Sequence, residues 1–253
     1  MWHVPDQLTK RTAPGAALYE AAGLRWLAAV SSGADVVEVI EASEREIVLP
    51  RLVAVLADPE AAADFGRRLA VTHDEGAAAF GAPPEGWEGD GWIGTEPMTL
   101  EPTTSWGTFY AEQRCWAYAE RAYARGSLDR DGLAVIEKVC TRVGQGMYDD
   151  DAPPARIHGD LWSGNVLVTA AGFVLIDPAA HGGHRITDLA MLDLFGAPYL
   201  DRILAAYESA SRWLPPRWRS LIGLHQLYPL LVHAAIFGGN YGARAVAIAR
   251  HYL

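Results

Sequence analysis

Hydrophobic and polar positions are patterned differently in two parts of the chain. Up to about residue 55 there is one short helix candidate and two β-branched runs, residues 36–40 and 46–49, which predict a small mixed α/β piece. Helical spacing begins at Asp58-Pro59-Glu60. There an N-cap, a proline at the first helical position and an acid near the positive dipole end precede Phe65 and Leu69 at i, i+4. Residues 83–105 are rich in Gly, Pro, Thr and Trp without periodicity, which predicts a long surface loop pinned by Trp87 and Trp92 and bordering a site. Trp106, Phe109, Tyr110, Gln113, Trp116 and Ala117 then share one helical face, and Leu133, Ile136, Val139, Cys140 and Val143 share another. The stretch DDDAPP, residues 149–154, breaks the pattern as a loop. Three helices close the chain: one stripe holds Leu200, Ile203, Leu204 and Tyr207, a second holds Leu221, Leu224, Tyr228 and Leu231, and residues 243–252 form the last. Pro229 should kink the middle one, because it removes a backbone donor.

The chemistry concentrates in RIHGDLWSGNVLVTAAGFVLIDPAAHGGHRITD, residues 156–188. Apolar runs at 166–168 and 173–176 flank an Ala-Ala-Gly turn, predicting a β-hairpin. Asp160 and Asn165 precede its first strand and Asp177 follows its second, so antiparallel pairing brings all three to one end. A carboxylate and an amide oxygen there can hold a hard cation, and a further carboxylate can accept a proton from an attacking hydroxyl. That combination suits phosphoryl transfer. Two other readings stand beside it: ordinary turn residues around a hairpin, and a zinc or manganese hydrolase cluster of His158, Asp160, Asp177, His181 and His184. Gly238, Gly239 and Gly242 read as a turn or close helix contact rather than a phosphate loop, since no strand precedes them.

Composition narrows the partners. The 253 residues carry 21 Lys plus Arg against 31 Asp plus Glu, a formal charge of -10, with no basic stretch to track a phosphate backbone, so no nucleic-acid partner is expected. Cys115 and Cys140 are the two cysteines, which fits a reducing compartment. The start, MWHVPDQLTKR, lacks a cationic segment followed by an apolar one, and no run of about 18 apolar residues stands out. The expectation is a soluble cytoplasmic protein with no membrane partner.

The string HGDLWSGN, His158 to Asn165, followed by IDPAAHGGHR and DLAMLDLFG, resembles the fructosamine kinase (ketosamine 3-kinase) family. HGDxxxxN alone marks the wider superfamily shared with choline and aminoglycoside phosphotransferases; the Trp-Ser-Gly insert together with HGGHR narrows it. The resemblance runs from about Lys10 to GGNYGARA. It implies an α+β, bilobal protein-kinase-like fold, with a shortened N-terminal β-sheet lobe (1–55) for nucleotide and a larger, mainly helical catalytic and substrate lobe (56–253). It implies ATP- and Mg2+-dependent transfer to the O3 hydroxyl of a ketosamine, small or protein-bound, as deglycation repair.

By position, Asp160 matches the base and His158 the residue that orders the catalytic loop, while Asn165 and Asp177 match the magnesium ligands. The segment TKRTAPGAALYEAAGLRWL implies that Lys10 contacts the α and β phosphates and that Glu20 holds Lys10. Pro50 (carbonyl) and Leu52 (N–H) fall where the hinge binds adenine. Trp162 would wall the sugar amine, and His184 and Arg185 would contact substrate or phosphate. The family's glycine-rich phosphate cover precedes the lysine strand, and only nine residues stand before Lys10. This implies a displaced start codon, a shortened form with poor nucleotide affinity, or a substitute segment, with an exposed sheet edge favouring instability or oligomerisation. A kinase-like binding protein without catalysis, and a kinase for an aminoglycoside or choline-like amine, are the alternatives.

Overall fold

The computed structural model of the chain describes residues 6–253; the first five residues of the segment read above for a signal sequence lie outside it. The chain opens with β1 (Gln7–Arg11), α1 (Ala16–Ala28), β2 (Asp35–Val36), β3 (Glu41–Ala42) and β4 (Glu46–Pro50). β1 and β3 flank β4 in an antiparallel sheet, with Lys10 opposite Ile47. Period-two alternation in β4 buries Ile47 and Leu49, which pack with Ala17, Ala21 and Leu24 of α1. Of the first β-branched run only the beginning is strand, and it leaves this sheet altogether.

α2 (Pro59–Asp74) starts where the sequence predicts: the Asp58 carboxylate accepts from the Glu60 and Ala61 N–H groups. The stretch expected to be an unpatterned loop contains a hairpin, β5 (Gly91–Ile93) with β6 (Glu96–Met98). Next come α3 (Trp106–Thr108), an eight-residue π-helical segment (Phe109–Trp116), α4 (Ala117–Ala124) and α5 (Arg130–Gly144). β7 (Ala155–Ile157) leads through a 3-10 turn (Ser163–Asn165) into the predicted hairpin, β8 (Val166–Thr169) and β9 (Gly172–Leu175). β2 joins β9 in parallel, Val36 opposite Leu175, which ties the first part of the chain to this hairpin. β10 (His181–Gly183) returns antiparallel to β7. Helices α6 (Arg185–Phe195), α7 (Leu200–Ala210), α8 (Trp218–Phe237) and α9 (Tyr241–Ala249) close the chain.

Two cores flank the β7–β10 segment. One packs α3, the π segment, α4 and α5 with α8 and α9, and the other packs α2, α6 and α7 on the hairpin, where Phe65 stacks on Phe173 at 5.2 Å. α8 continues through Pro229 as one helix of 20 residues. By length and hydropathy it would pass for a membrane span, which the sequence reading did not pick out, but 61% of its apolar window is buried against the protein and it serves as the central core helix.

Candidate active site

Three short connections bring the polar groups together. Lys10 comes from β1, Glu20 from α1, Asp160 from the turn after β7, Asn165 from the end of the 3-10 turn, and Asp177 from just beyond β9. With Trp162, Tyr19, Trp92 and Thr95 they line one cavity of about 510 Å3. Asn165 Nδ2 donates to Asp160 Oδ2 at 2.9 Å and to the Asp160 carbonyl at 2.9 Å, and it reaches the Asp177 carbonyl at 3.4 Å. This single amide fixes the neck of the hairpin. Its Nδ2 is directed at Asp160, so its oxygen faces the other way and, with the Asp177 carboxylate, makes a hard-oxygen donor set that fits magnesium.

Lys10 Nζ stands 2.8 Å from Glu20 Oε2 and 3.0 Å from Asp177 Oδ1. Burial pulls its pKa down, yet the two carboxylates outweigh burial and the net shift is upward, so the ammonium persists. Burial pushes the Glu20 carboxyl up to about 7 despite Lys10. Asp160 is likewise raised to about 7, by burial first and with the nearby carboxylates of Asp188 and Asp177 adding, while the Asn165 hydrogen bond and Lys10 oppose.

Beneath the cavity His158 holds the turn. Its Nε2 faces the Ile176 carbonyl at 2.9 Å, which can only accept, and its Nδ1 faces the Asp160 N–H at 3.2 Å, which can only donate. The ring is therefore the neutral Nε2–H tautomer, and burial keeps its pKa low. Gly159 has φ +80 and no room for a Cβ, which would stand 2.2 Å from the Ala179 carbonyl oxygen. Gly164 gives Trp162 its place, because a Cβ there would lie 2.2 Å from the indole. Asp177 itself has φ 52, a left-handed conformation at a site residue.

Some predicted residues are not brought here. His184 is buried and its Nε2 meets the Asp150 carboxylate at 3.3 Å; Arg185 is fully buried against Asp74 and the Pro153 carbonyl. Neither lines the cavity, so substrate contact is replaced by internal pairing. Pro50 ends β4, paired with Gln7, and neither it nor Leu52 is among the cavity's lining residues. The hydrolase cluster does not form: among the described residues no three His, Cys, Asp or Glu side chains could share a metal ion. His181 Nδ1 instead meets the Ala179 carbonyl, and burial with Arg114 pushes its pKa down to about 3.

Sequence reasoning missed Asp188. Fully buried, it accepts from the His158 N–H at 2.7 Å, the Gly159 N–H at 2.9 Å and His73 Nε2 at 3.1 Å, and so clamps the backbone before Asp160. Burial opposes its ionisation, but these donors hold its pKa below the usual carboxylate range. An acid inside the apolar run ITDLAML was the available signal. Tyr19, Trp92 and Thr95 were missed as cavity walls.

The family model for fructosamine kinase matches residues 14–253. The chain belongs to the fructosamine kinase family. It is 36% identical over 182 residues to a protein of Synechocystis sp. named as a probable ketoamine kinase, covering 72% of this chain and 58% of that one. It is 34% identical over 190 residues to a like-named protein of Vibrio parahaemolyticus, covering 74% and 61%. The matched stretch thus spans about three fifths of these relatives' length. The crystal structure of a Thermobifida fusca protein assigned as a fructosamine-3-kinase superposes with a TM-score of 0.89 at 44% identity, covering 97% of this chain and 85% of that one. An ADP-bound aminoglycoside phosphotransferase, at 13% identity and TM-score 0.62, shares the fold. The fold is the bilobal protein-kinase-like one, as the resemblance implied.

Proposed function

We propose that this protein is an ATP- and magnesium-dependent kinase that phosphorylates the O3 hydroxyl of ketosamines, small or protein-bound, in the cytoplasm, as a step of deglycation repair. The observation that carries it is the convergence of Asp160, Asn165, Asp177 and Lys10 on one cavity, with the Asp160 carboxylate held in place by Asn165.

Asp160 takes the hydroxyl proton as the sugar oxygen bonds to the γ-phosphorus and the β–γ bridging bond breaks to release ADP. Asn165 and Asp177 would hold the magnesium ion, which would supply neutralisation of the phosphate charge there. Lys10, kept cationic by Glu20 and Asp177, reaches the α and β phosphates. His158 and Asp188 fix the turn that carries the base. Residues 6–55 present the nucleotide side, and Trp162 forms the wall beside the sugar.

The test is ADP release and phosphosugar formation from ATP and a fructose-derived ketosamine. Asp160→Asn should leave the fold and MgATP binding intact and lower kcat by about 10^2- to 10^4-fold. Turnover by that variant at the wild-type rate defeats the assignment, and MgATP stabilisation without any turnover of the wild-type protein favours a kinase-like binding protein.

A further inference from the structure

A row of rings leads away from the cavity. Trp162, 40% exposed at the rim, meets Phe195 edge-on with centroids 6.2 Å apart. Phe195 lies 4.8 Å from His233, and His233 lies 5.4 Å from Phe237 and 5.0 Å from Tyr241. Separate elements supply the row: the catalytic turn, the end of α6, and the junction of α8 with α9. At that junction Gly238 and Gly239, both left-handed, reverse the chain so that Tyr241 returns to His233.

Most of the row stands apart from the core, Tyr241 alone packing against one of the buried clusters. Trp162, Phe195, His233 and Phe237 belong to none of the buried clusters, and Phe237 is 68% exposed at the end of α8. An aromatic side chain left in water beside a cavity is surface available to a ligand. The rings themselves are uncharged, and the one cation beside them is the Arg244 guanidinium, 5.9 Å from the Tyr241 ring centre. His233 Nδ1 donates to the Pro229 carbonyl at 2.7 Å, and burial, with Arg244 adding, keeps its pKa below the imidazole norm. The cavity wall comes close to the far end of the row: Gly94 and Thr95, at the tip of the β5–β6 hairpin, line the cavity, and a Cβ on Gly94 would stand 3.3 Å from Ile236, the neighbour of Phe237.

We infer that this row is the subsite for the amine-derived portion of the ketosamine, and that it selects adducts whose amine carries an apolar or aromatic group. The inference rests on the phosphotransferase reading above. In a ketosamine the amine sits on C1, two carbons from the C3 that bears the reacting hydroxyl, so a substrate with O3 at Asp160 carries its amine substituent past Trp162, where the row begins. Flat, neutral ring faces beyond that point suit an alkyl chain or an aryl ring better than a second charged group.

The experiment compares kcat/KM for two ketosamines of the same sugar, one formed from glycine and one from 2-phenylethylamine. The wild-type protein should prefer the aryl adduct. Phe237→Ala should lower the aryl-to-glycine ratio about tenfold, chiefly through KM, and Phe237→Tyr should restore it. Trp213→Ala, an exposed tryptophan outside the row, should keep the wild-type ratio. Equal use of the two adducts by the wild-type protein, or an unchanged ratio in Phe237→Ala, overturns the inference. If the wild-type protein phosphorylates neither adduct, the phosphotransferase reading fails by itself, and the row is judged by calorimetric titration with 2-phenylethylamine. Uptake that Phe237→Ala loses supports the row, and no uptake by the wild-type protein overturns it.

Discussion

At the scale of single residues, Asp188 decides the geometry of the turn that carries Asp160, a side chain it never touches. Its two oxygens accept from two successive backbone N–H groups and from His73, all out of contact with water. Asp188→Asn keeps the shape but replaces one acceptor with a donor aimed at donors. It should therefore cost about 2–4 kcal/mol of stability, the range for leaving a buried charged-group hydrogen bond unmade. It should also lower kcat more than it raises the ketosamine KM, because the turn that aims Asp160 loosens while the cavity walls remain. Denaturant unfolding with steady-state kinetics checks both, and a variant as stable and as active as wild type would remove Asp188 from this role. The site was legible to the degree that it is local: Asp160, Asn165 and Asp177 are set by one hairpin, and a period-two pattern with a turn signal announces it. His184 and Arg185 misled because adjacency in sequence to a motif says nothing about which way a side chain points. Both turn inward to Asp150 and Asp74, partners 34 and 111 residues away along the chain.

At the scale of elements, the misreadings have identifiable causes. In the segment 106–124 the expected face included Gln113, Trp116 and Ala117, yet the structure buries Arg114, Cys115 and Tyr118 instead. The π-helical stretch explains the slip: its i to i+5 repeat adds a residue to the turn, so Phe109 aligns with Arg114 and Tyr110 with Cys115. The β5–β6 hairpin escaped notice because its strands are three residues each, β6 carries Pro97, and the buried positions include Gly91 and the polar Glu96. The packing of α2 on α7 gives a prediction at this scale. A Cβ on Gly66 would stand 2.2 Å from the Ile203 carbonyl oxygen, so the two helices cross at backbone contact. Helix propensity alone would have Gly66→Ala stabilise by about 1 kcal/mol. The clash with backbone should reverse that sign and give a net loss of about 1–3 kcal/mol. Thermal unfolding decides it, and a raised Tm for Gly66→Ala would mean that the crossing has slack.

At the scale of the whole molecule, opposed sets of buried groups determine how stability follows pH before any metal or nucleotide binds. His158, His181, His184, His225 and His233 are all pushed below the imidazole norm, burial being the leading cause. Each is neutral in the fold where the unfolded chain would bind a proton, so acidification below about 6.5 draws the chain toward unfolding. Asp160 and Glu20 act in the other direction. With carboxyls raised to about 7, they bind protons in the fold that the unfolded chain has already released, so their effect favours the fold at low pH and is lost as pH rises through 7. The buried imidazoles thus tilt stability upward with pH in the range where these two carboxyls tilt it downward. The carboxylate contribution is separable by substitution. Asp160→Asn mimics the protonated acid at every pH, so in metal-free protein its stability relative to wild type should rise from pH 5 to about 7 and level off above. Denaturant midpoints measured across pH 5 to 8.5 for both proteins give that difference directly. A difference flat with pH would place the Asp160 carboxyl at an ordinary carboxylate pKa and remove this support for Asp160 as the proposed base.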